Sequence, residues 1–102
     1  MGFEVRLQDE FGGRLESVGD PRNLLDPLFP PNDDYSQPML ASIDPYGDTV
    51  FNRMQIERFL EEWRLVASRA QTPETQSLVK AIEKMALRCR EEVHLYLKFI
   101  GD

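Results

Sequence analysis

Cysteine and histidine each occur once in these 102 residues, as Cys89 and His94. A lone cysteine rules out an internal disulfide and suits a reducing compartment. A lone histidine would have to serve as every base in a nucleophilic mechanism, and no serine stands in a Gly-x-Ser-x-Gly context. No apolar run approaches the ~18 residues expected of a membrane span. Met1 to Arg6 lacks the basic stretch and apolar core of a secretory signal. Arg6 stands where a myristoylation start wants serine or threonine. The expected address is the cytoplasm, without membrane contact. Gly12-Gly13 is too short a glycine run to cradle phosphate.

Basic side chains are scarce in the first half of the chain. Residues 1–51 hold three arginines against ten carboxylates, a charge of −7, while residues 52–102 come to +1. The formal total is −6. Phosphate recognition draws on clustered lysine and arginine, so a nucleic-acid partner is not expected. The arginines of the second half, from Arg53 to Arg90, are interspersed with glutamates at helical distances, the pattern of a solvated face. A field of one sign on one side of a small protein is an argument about partners.

The chain is long enough for one packed core, and a single domain over 1–102 is expected. Phe3, Val5 and Leu7 alternate with polar residues, the period of a strand with one buried face. Asp9 to Gly13 supplies a turn, and residues 14–18 return as a second strand. Asp20-Pro21 has the form of a helix cap and first-position proline, predicting a short helix that buries Leu24, Leu25, Leu28 and Phe29. Pro30 to Pro38 reads as a stiffened loop around Asn32, Asp33, Asp34, Tyr35, Ser36 and Gln37. Met39 to Asn52 reads as a hairpin, with Met39, Ala41 and Ile43 on one strand, Thr49 to Phe51 on the other, and Asp44-Pro45-Tyr46-Gly47-Asp48 as the turn.

Asn52 with Gln55 makes a capping box, after which Ile56, Phe59, Leu60, Trp63, Ala67 and Ala70 recur at helical spacing. Thr72-Pro73-Glu74 starts a second helix, whose stripe runs through Leu78, Ala81, Ile82, Met85, Cys89 and Val93. The short break predicts an antiparallel helical hairpin. From Leu95 to Ile100 the period becomes that of a strand. The expected class is α+β: a small, mostly antiparallel sheet packed against a C-terminal antiparallel helical hairpin.

Catalytic constellations are hard to assemble from these residues. Glu91-x-x-His94 has the spacing of a di-iron carboxylate site, but such sites need a second copy and there is no second histidine. His94 instead suits the negative end of the second helix. Asp44 and Asp48, with Asp33 and Asp34, form an acidic group whose spacing does not fit a twelve-residue calcium loop, and these are ordinary turn residues. Cys89 falls on an apolar helix stripe, as a packed thiol does. Trp63 falls on the other stripe and is expected in the core. Tyr35 and Tyr46 lie in polar turns, where exposed tyrosine beside carboxylate has the composition of a binding patch.

The stretches Ile43–Asn52 (IDPYGDTVFN) and His94–Asp102 (HLYLKFIGD) resemble a group of small uncharacterised bacterial proteins and cover about a fifth of the chain. The resemblance implies a compact cytosolic bacterial domain and brings no activity, so no functional residue is carried over from it. The expected function is a non-enzymatic interaction protein without cofactor or metal, monomeric or homodimeric. Asp33, Asp34, Tyr35, Asp44, Tyr46 and Asp48 would face a basic protein partner, as in an immunity-like inhibitor. Two alternatives are a self-associating adaptor that pairs Leu95–Ile100 as an edge strand, and a small metal-assisted hydrolase using Asp44, Asp48 and His94.

Overall fold

The computed structural model describes residues 2–31 and 33–101, so Asn32 and Asp102 lie outside the described residues. Strand β1 (Glu4–Asp9) turns into β2 (Arg14–Gly19), a 3-10 turn covers Asp26–Leu28, and a four-residue helix α1 spans Pro38–Ala41. Strand β3 (Asp48–Phe51), helices α2 (Arg53–Arg69) and α3 (Pro73–Glu91), and strand β4 (Leu95–Ile100) follow. Among the described residues the strands form one antiparallel sheet in the order β2-β1-β4-β3, with the α2–α3 hairpin after its first three strands. The architecture is α+β.

Alternation places the same residues inward that the strand period marks. Val5 and Leu7 of β1, Leu95, Leu97 and Phe99 of β4, and Phe51 of β3 are buried. They meet Ile56, Phe59, Trp63 and Val66 of α2 and Val79, Ile82, Met85, Ala86 and Cys89 of α3 in one hydrophobic core. Phe99 is the hub, with ring centroids 5.8–6.2 Å from Phe3, Phe29, Phe51, Phe59 and Trp63. Trp63 stacks on Phe59 at 5.2 Å, and its Nε1 donates to the Val79 carbonyl at 3.1 Å, joining the two long helices.

Both long helices begin as their capping residues dictate. Asn52 Oδ1 accepts from Gln55 N while Gln55 Oε1 accepts from Asn52 N, a closed capping box. Thr72 Oγ1 accepts from Thr75 N, and Pro73 takes the first helical position.

Several expectations are corrected. Asp20-Pro21 opens no helix: the Asp20 carboxylate is buried and accepts from Leu24 N and Leu25 N, spanning an open loop in which Asn23 has φ +55°. Residues 39–43 are not a strand. The buried residues there are Leu40, Ala41 and Ile43, a turn spacing rather than an alternation, and Pro38 starts a helical turn. The Asp44–Asp48 turn therefore links α1 to β3 rather than two hairpin strands. Strand β4 is not an edge, since β1 and β3 flank it. Val93 is exposed beyond the end of α3, and His94, at φ +61°, stands in the following turn 3.5 Å from Glu10 instead of capping the helix.

The two stretches IDPYGDTVFN and HLYLKFIGD are partners in space. Asp48 to Phe51 pair with Ile100 to Leu97, and Gly101 N donates to the Gly47 carbonyl at 2.7 Å. A Cβ on Gly101 would lie 2.5 Å from the Pro45 carbonyl, so only glycine lets the segment after β4 close on the turn. Gly101→Ala is expected to lower unfolding free energy by about 1–3 kcal/mol, and Phe99→Ala by about 3–5 kcal/mol. Urea denaturation followed by Trp63 fluorescence measures both. An unchanged midpoint for Phe99→Ala would contradict its place at the centre of the core.

Candidate functional site

Residues 23–52 contain five aspartates and no lysine or arginine; Asp26 starts the 3-10 turn, and the fold displays the other four in two groups. Asp33, Asp34 and Tyr35 precede α1, beside α2. The Asp34 carboxylate accepts from Ser36 N at 3.0 Å, from Ser36 Oγ at 2.6 Å and from Gln37 Nε2 at 3.2 Å. Its hydrogen bond from the Ser36 hydroxyl, above all, holds the carboxyl below the usual aspartate range. Asp33 is exposed, and Tyr35 is 88% exposed.

Asp44, Tyr46 and Asp48 follow α1 and lead into β3. Asp44 Oδ1 accepts from Tyr46 N at 2.8 Å, and Asp44 N donates to Thr49 Oγ1 at 3.0 Å. This Asx turn holds Tyr46 outward, 84% exposed. Asp48 lies on the open face of the sheet, 3.3 Å from Lys98 Nζ. Among the described residues no hydrogen bond or ion pair joins the first three residues to the second three.

A buried carboxylate supports the segment, and it corrects the expectation that the glutamates near Arg58, Glu62 among them, lie on a solvated helix face. Glu62 on α2 is 3% exposed and accepts from Leu40 N at 2.9 Å and Met39 N at 3.3 Å. It satisfies the orphan amides at the start of α1, as a side-chain cap would. Arg58, one turn earlier, donates to Glu62 from Nε at 2.9 Å and to the Ser36 carbonyl from Nη2 at 3.0 Å. Arg69 donates to the Leu28 carbonyl at 3.0 Å. Two arginines of α2 thus hold the segment through backbone carbonyls. The signal for Glu62 lay in its spacing: it is three residues after Phe59 and four before Val66, inside the buried arc of the helix.

The other carboxylates of the first half do not join these. Glu4 pairs with Arg6 at 2.6 Å, Glu16 with Arg88 at 2.6 Å, and Asp20 is buried in its loop. The −7 of the first half is therefore not one acidic pole; the strand hairpin is tied to arginines and backbone amides, and the display is confined to residues 26–48. Cys89 is buried, donates to the Leu95 carbonyl at 3.3 Å, and burial pushes its thiol pKa up. His94 and Asp48 lie at opposite ends of β4, roughly 20 Å apart at the rise of a strand, so the Asp44–Asp48–His94 constellation is not assembled. Among the described residues no group of three His, Cys, Asp or Glu side chains is placed to hold a metal ion. No described helix is long and apolar enough to cross a membrane.

Fold and surface together define a small α+β domain that displays hydrogen-bonded acidic turns carrying exposed tyrosines. Comparison with protein-family models, curated proteins and solved structures returns no match.

Removing the buried support is expected to be costly. Glu62→Ala leaves two buried amides and Arg58 without their acceptor, and is expected to lose about 3 kcal/mol in urea denaturation. A loss below that of an ordinary surface substitution would contradict the anchoring role. The Asp34 turn is expected to be pH-sensitive. Its carboxylate form accepts the bonds and its pKa is depressed, so the turn holds at neutral pH and is lost as pH falls through that depressed value. NMR titration of the Asp34 carboxyl should show a midpoint below the usual range, moving back up in Ser36→Ala.

Proposed function

We propose that this chain is a non-catalytic protein-interaction domain that presents Asp33, Asp34, Tyr35, Asp44, Tyr46 and Asp48 to a basic partner protein, in the manner of an immunity-like inhibitor. The observation that carries the reading is the pair of tyrosines, 88% and 84% exposed, standing in aspartate-stapled turns. Tyrosine offers a large amphipathic contact with little rotamer entropy to lose, and turns fixed before binding reduce the ordering cost further. An aspartate that accepts backbone N–H bonds keeps its charge. Asp34, whose carboxyl is held below the usual aspartate range, is therefore fixed in place and negative, and Asp44 is fixed in place by the Tyr46 amide, which favours encounter with a positive surface.

Arg58 and Arg69 strengthen this reading, because they grip carbonyl oxygens of the segment and leave carboxylates to face outward. The reading narrows the partner surface to the two turns, since Glu4 and Glu16 already have arginine partners; Asp48, 3.3 Å from Lys98, would have to exchange that lysine for the partner. A cytoplasmic, bacterial setting belongs to the same proposal and rests on the lone buried cysteine and the two resembling stretches. Self-association through Leu95–Ile100 is not carried forward, because that strand is enclosed on both sides.

Site-specific photocrosslinking tests the proposal. A photoreactive phenylalanine analogue replacing Tyr35 or Tyr46 is expected to capture the same basic protein from cell extract, with yields that fall as salt rises. The same probe at Phe11, on the hairpin tip at the other end of the sheet from Tyr46, is expected to capture none of it. Tyr35→Ala and Tyr46→Ala should each weaken the complex by about tenfold or more without moving the thermal midpoint. Capture of an acidic protein, or a yield indifferent to salt, would sink the reading.

A further inference from the structure

Strand β2 lies at the opposite edge of the sheet from β3 and the acidic turns, and only β1 pairs with it. Asp20 N donates to the Phe3 carbonyl at 2.8 Å, which fixes the direction of the backbone groups along this edge. Val18 and Glu16, two and four residues back, share that inward direction, so the N–H and C=O of Ser17 and Gly19 point away from the sheet. The edge contains neither proline nor lysine, two of the usual guards against added strands, and a β-bulge at Leu15 confines its regular part to Glu16–Gly19. The other edge is guarded: β3 has four residues, follows the Pro45 turn, and starts with Asp48 paired to Lys98.

Beside this edge runs a groove of about 400 Å³ between β2 and α3. Val18, Ala81 and Met85 line its apolar part, Glu16 and Ser17 of β2 its near side, and Ser77, Lys80 and Lys84 its far wall. Lys80, Lys84 and Arg88 follow at four-residue intervals and therefore share one helix face. Arg88 is occupied by Glu16 at 2.6 Å and Glu92 at 2.8 Å. Lys80 and Lys84 are exposed, and among the described residues neither is within ion-pair distance of a carboxylate. A basic wall facing an open strand edge runs against the charge of the whole chain, −6.

We propose that this groove is a second docking site, in which an extended acidic peptide segment of a partner protein adds as a strand to β2, bonding the outward backbone of Ser17 and Gly19 and placing carboxylates against Lys80 and Lys84. Main-chain bonds along the edge supply affinity that is indifferent to sequence, and the two lysines select acidic side chains. The neighbouring hollow at the α2–α3 elbow shares Ser77 and Lys80, so the groove continues beyond the end of the strand. The site is independent of the acidic turns; a domain with both would bind a basic protein at one sheet edge and an acidic segment at the other.

The test uses a fluorescent peptide of alternating valine and glutamate, with an alternating valine and lysine peptide as control. Anisotropy at low salt is expected to show binding of the glutamate peptide alone. Lys80→Glu with Lys84→Glu should weaken it by at least about tenfold, and the Lys80→Gln, Lys84→Gln pair by less. Tyr35→Ala with Tyr46→Ala should leave it unchanged, which separates the fate of this site from that of the turns. Amide hydrogen exchange is expected to slow at Ser17 and Gly19 when the peptide binds. Equal binding of the lysine peptide would overturn the proposal. So would unchanged exchange at Ser17 and Gly19, which reduces the site to anion attraction by two lysines. A concentration-dependent dimer in sedimentation with those amides already protected would assign the edge to a second copy of this chain and overturn it as well.

Discussion

The Glu62 carboxylate is the point on which the middle of this molecule turns. It sits inside the buried arc of α2, where an unpaired charge would be strongly disfavoured, and finds its partners in the first amides of α1 and the guanidinium of Arg58. That single anchor converts Pro38–Ala41 from an extended stretch into a helical turn against α2. Once the turn is placed, the chain leaves it toward Asp44 and closes on Gly101, which sets β3 beside β4. The acidic turns on either side of α1 are therefore rigid for a reason outside themselves.

The sheet and the helical hairpin answer to a different constraint, the burial of aromatic surface. Phe99 lies between the ring of Phe3, just before β1, and rings from β3, α2 and the loop after β2, so each of these segments is placed by contact with the same side chain. Only one face of the sheet is covered. The other carries paired charges, Arg6 with Glu4 and Lys98 with Asp48, which keep an otherwise bare antiparallel face polar. Exposed pairs of this kind contribute little to stability and chiefly define the surface.

Charge asymmetry along the chain does not translate directly into charge asymmetry in space. The strand hairpin spends its carboxylates locally: Asp9 closes the turn at Gly13, Asp20 closes a loop, and Glu16 reaches Arg88 on α3. In residues 26–48 Asp48 meets Lys98, while Arg58 and Arg69 take carbonyl oxygens of the segment rather than its carboxylates. The opposite sheet edge gathers Lys80 and Lys84 of α3, which among the described residues have no carboxylate within ion-pair distance. An acidic protein thus carries one acidic and one basic surface, a division that net charge conceals.

Local patterning determined the long elements. The alternation of Phe3, Val5 and Leu7, the Asn52–Gln55 box, the Thr72-Pro73 start and the change of period at Leu95 each act within a few residues, so β1, α2, α3 and β4 were legible before any contact was known. Tyr35 and Tyr46 were legible as exposed for the same reason, since turn chemistry is local. Tertiary structure alone decided what depends on a distant partner. Met39 to Ile43 looked extended until Glu62, more than twenty residues later, supplied the acceptor for a helical turn. Asp20 looked like a cap until its loop was folded against Leu25, and β4 took the middle of the sheet because both β1 and β3 needed its free edges. A sequence window sees propensity and period; which donor meets which acceptor across the fold is set by packing, and that is where the two acidic turns and the β2 groove were made.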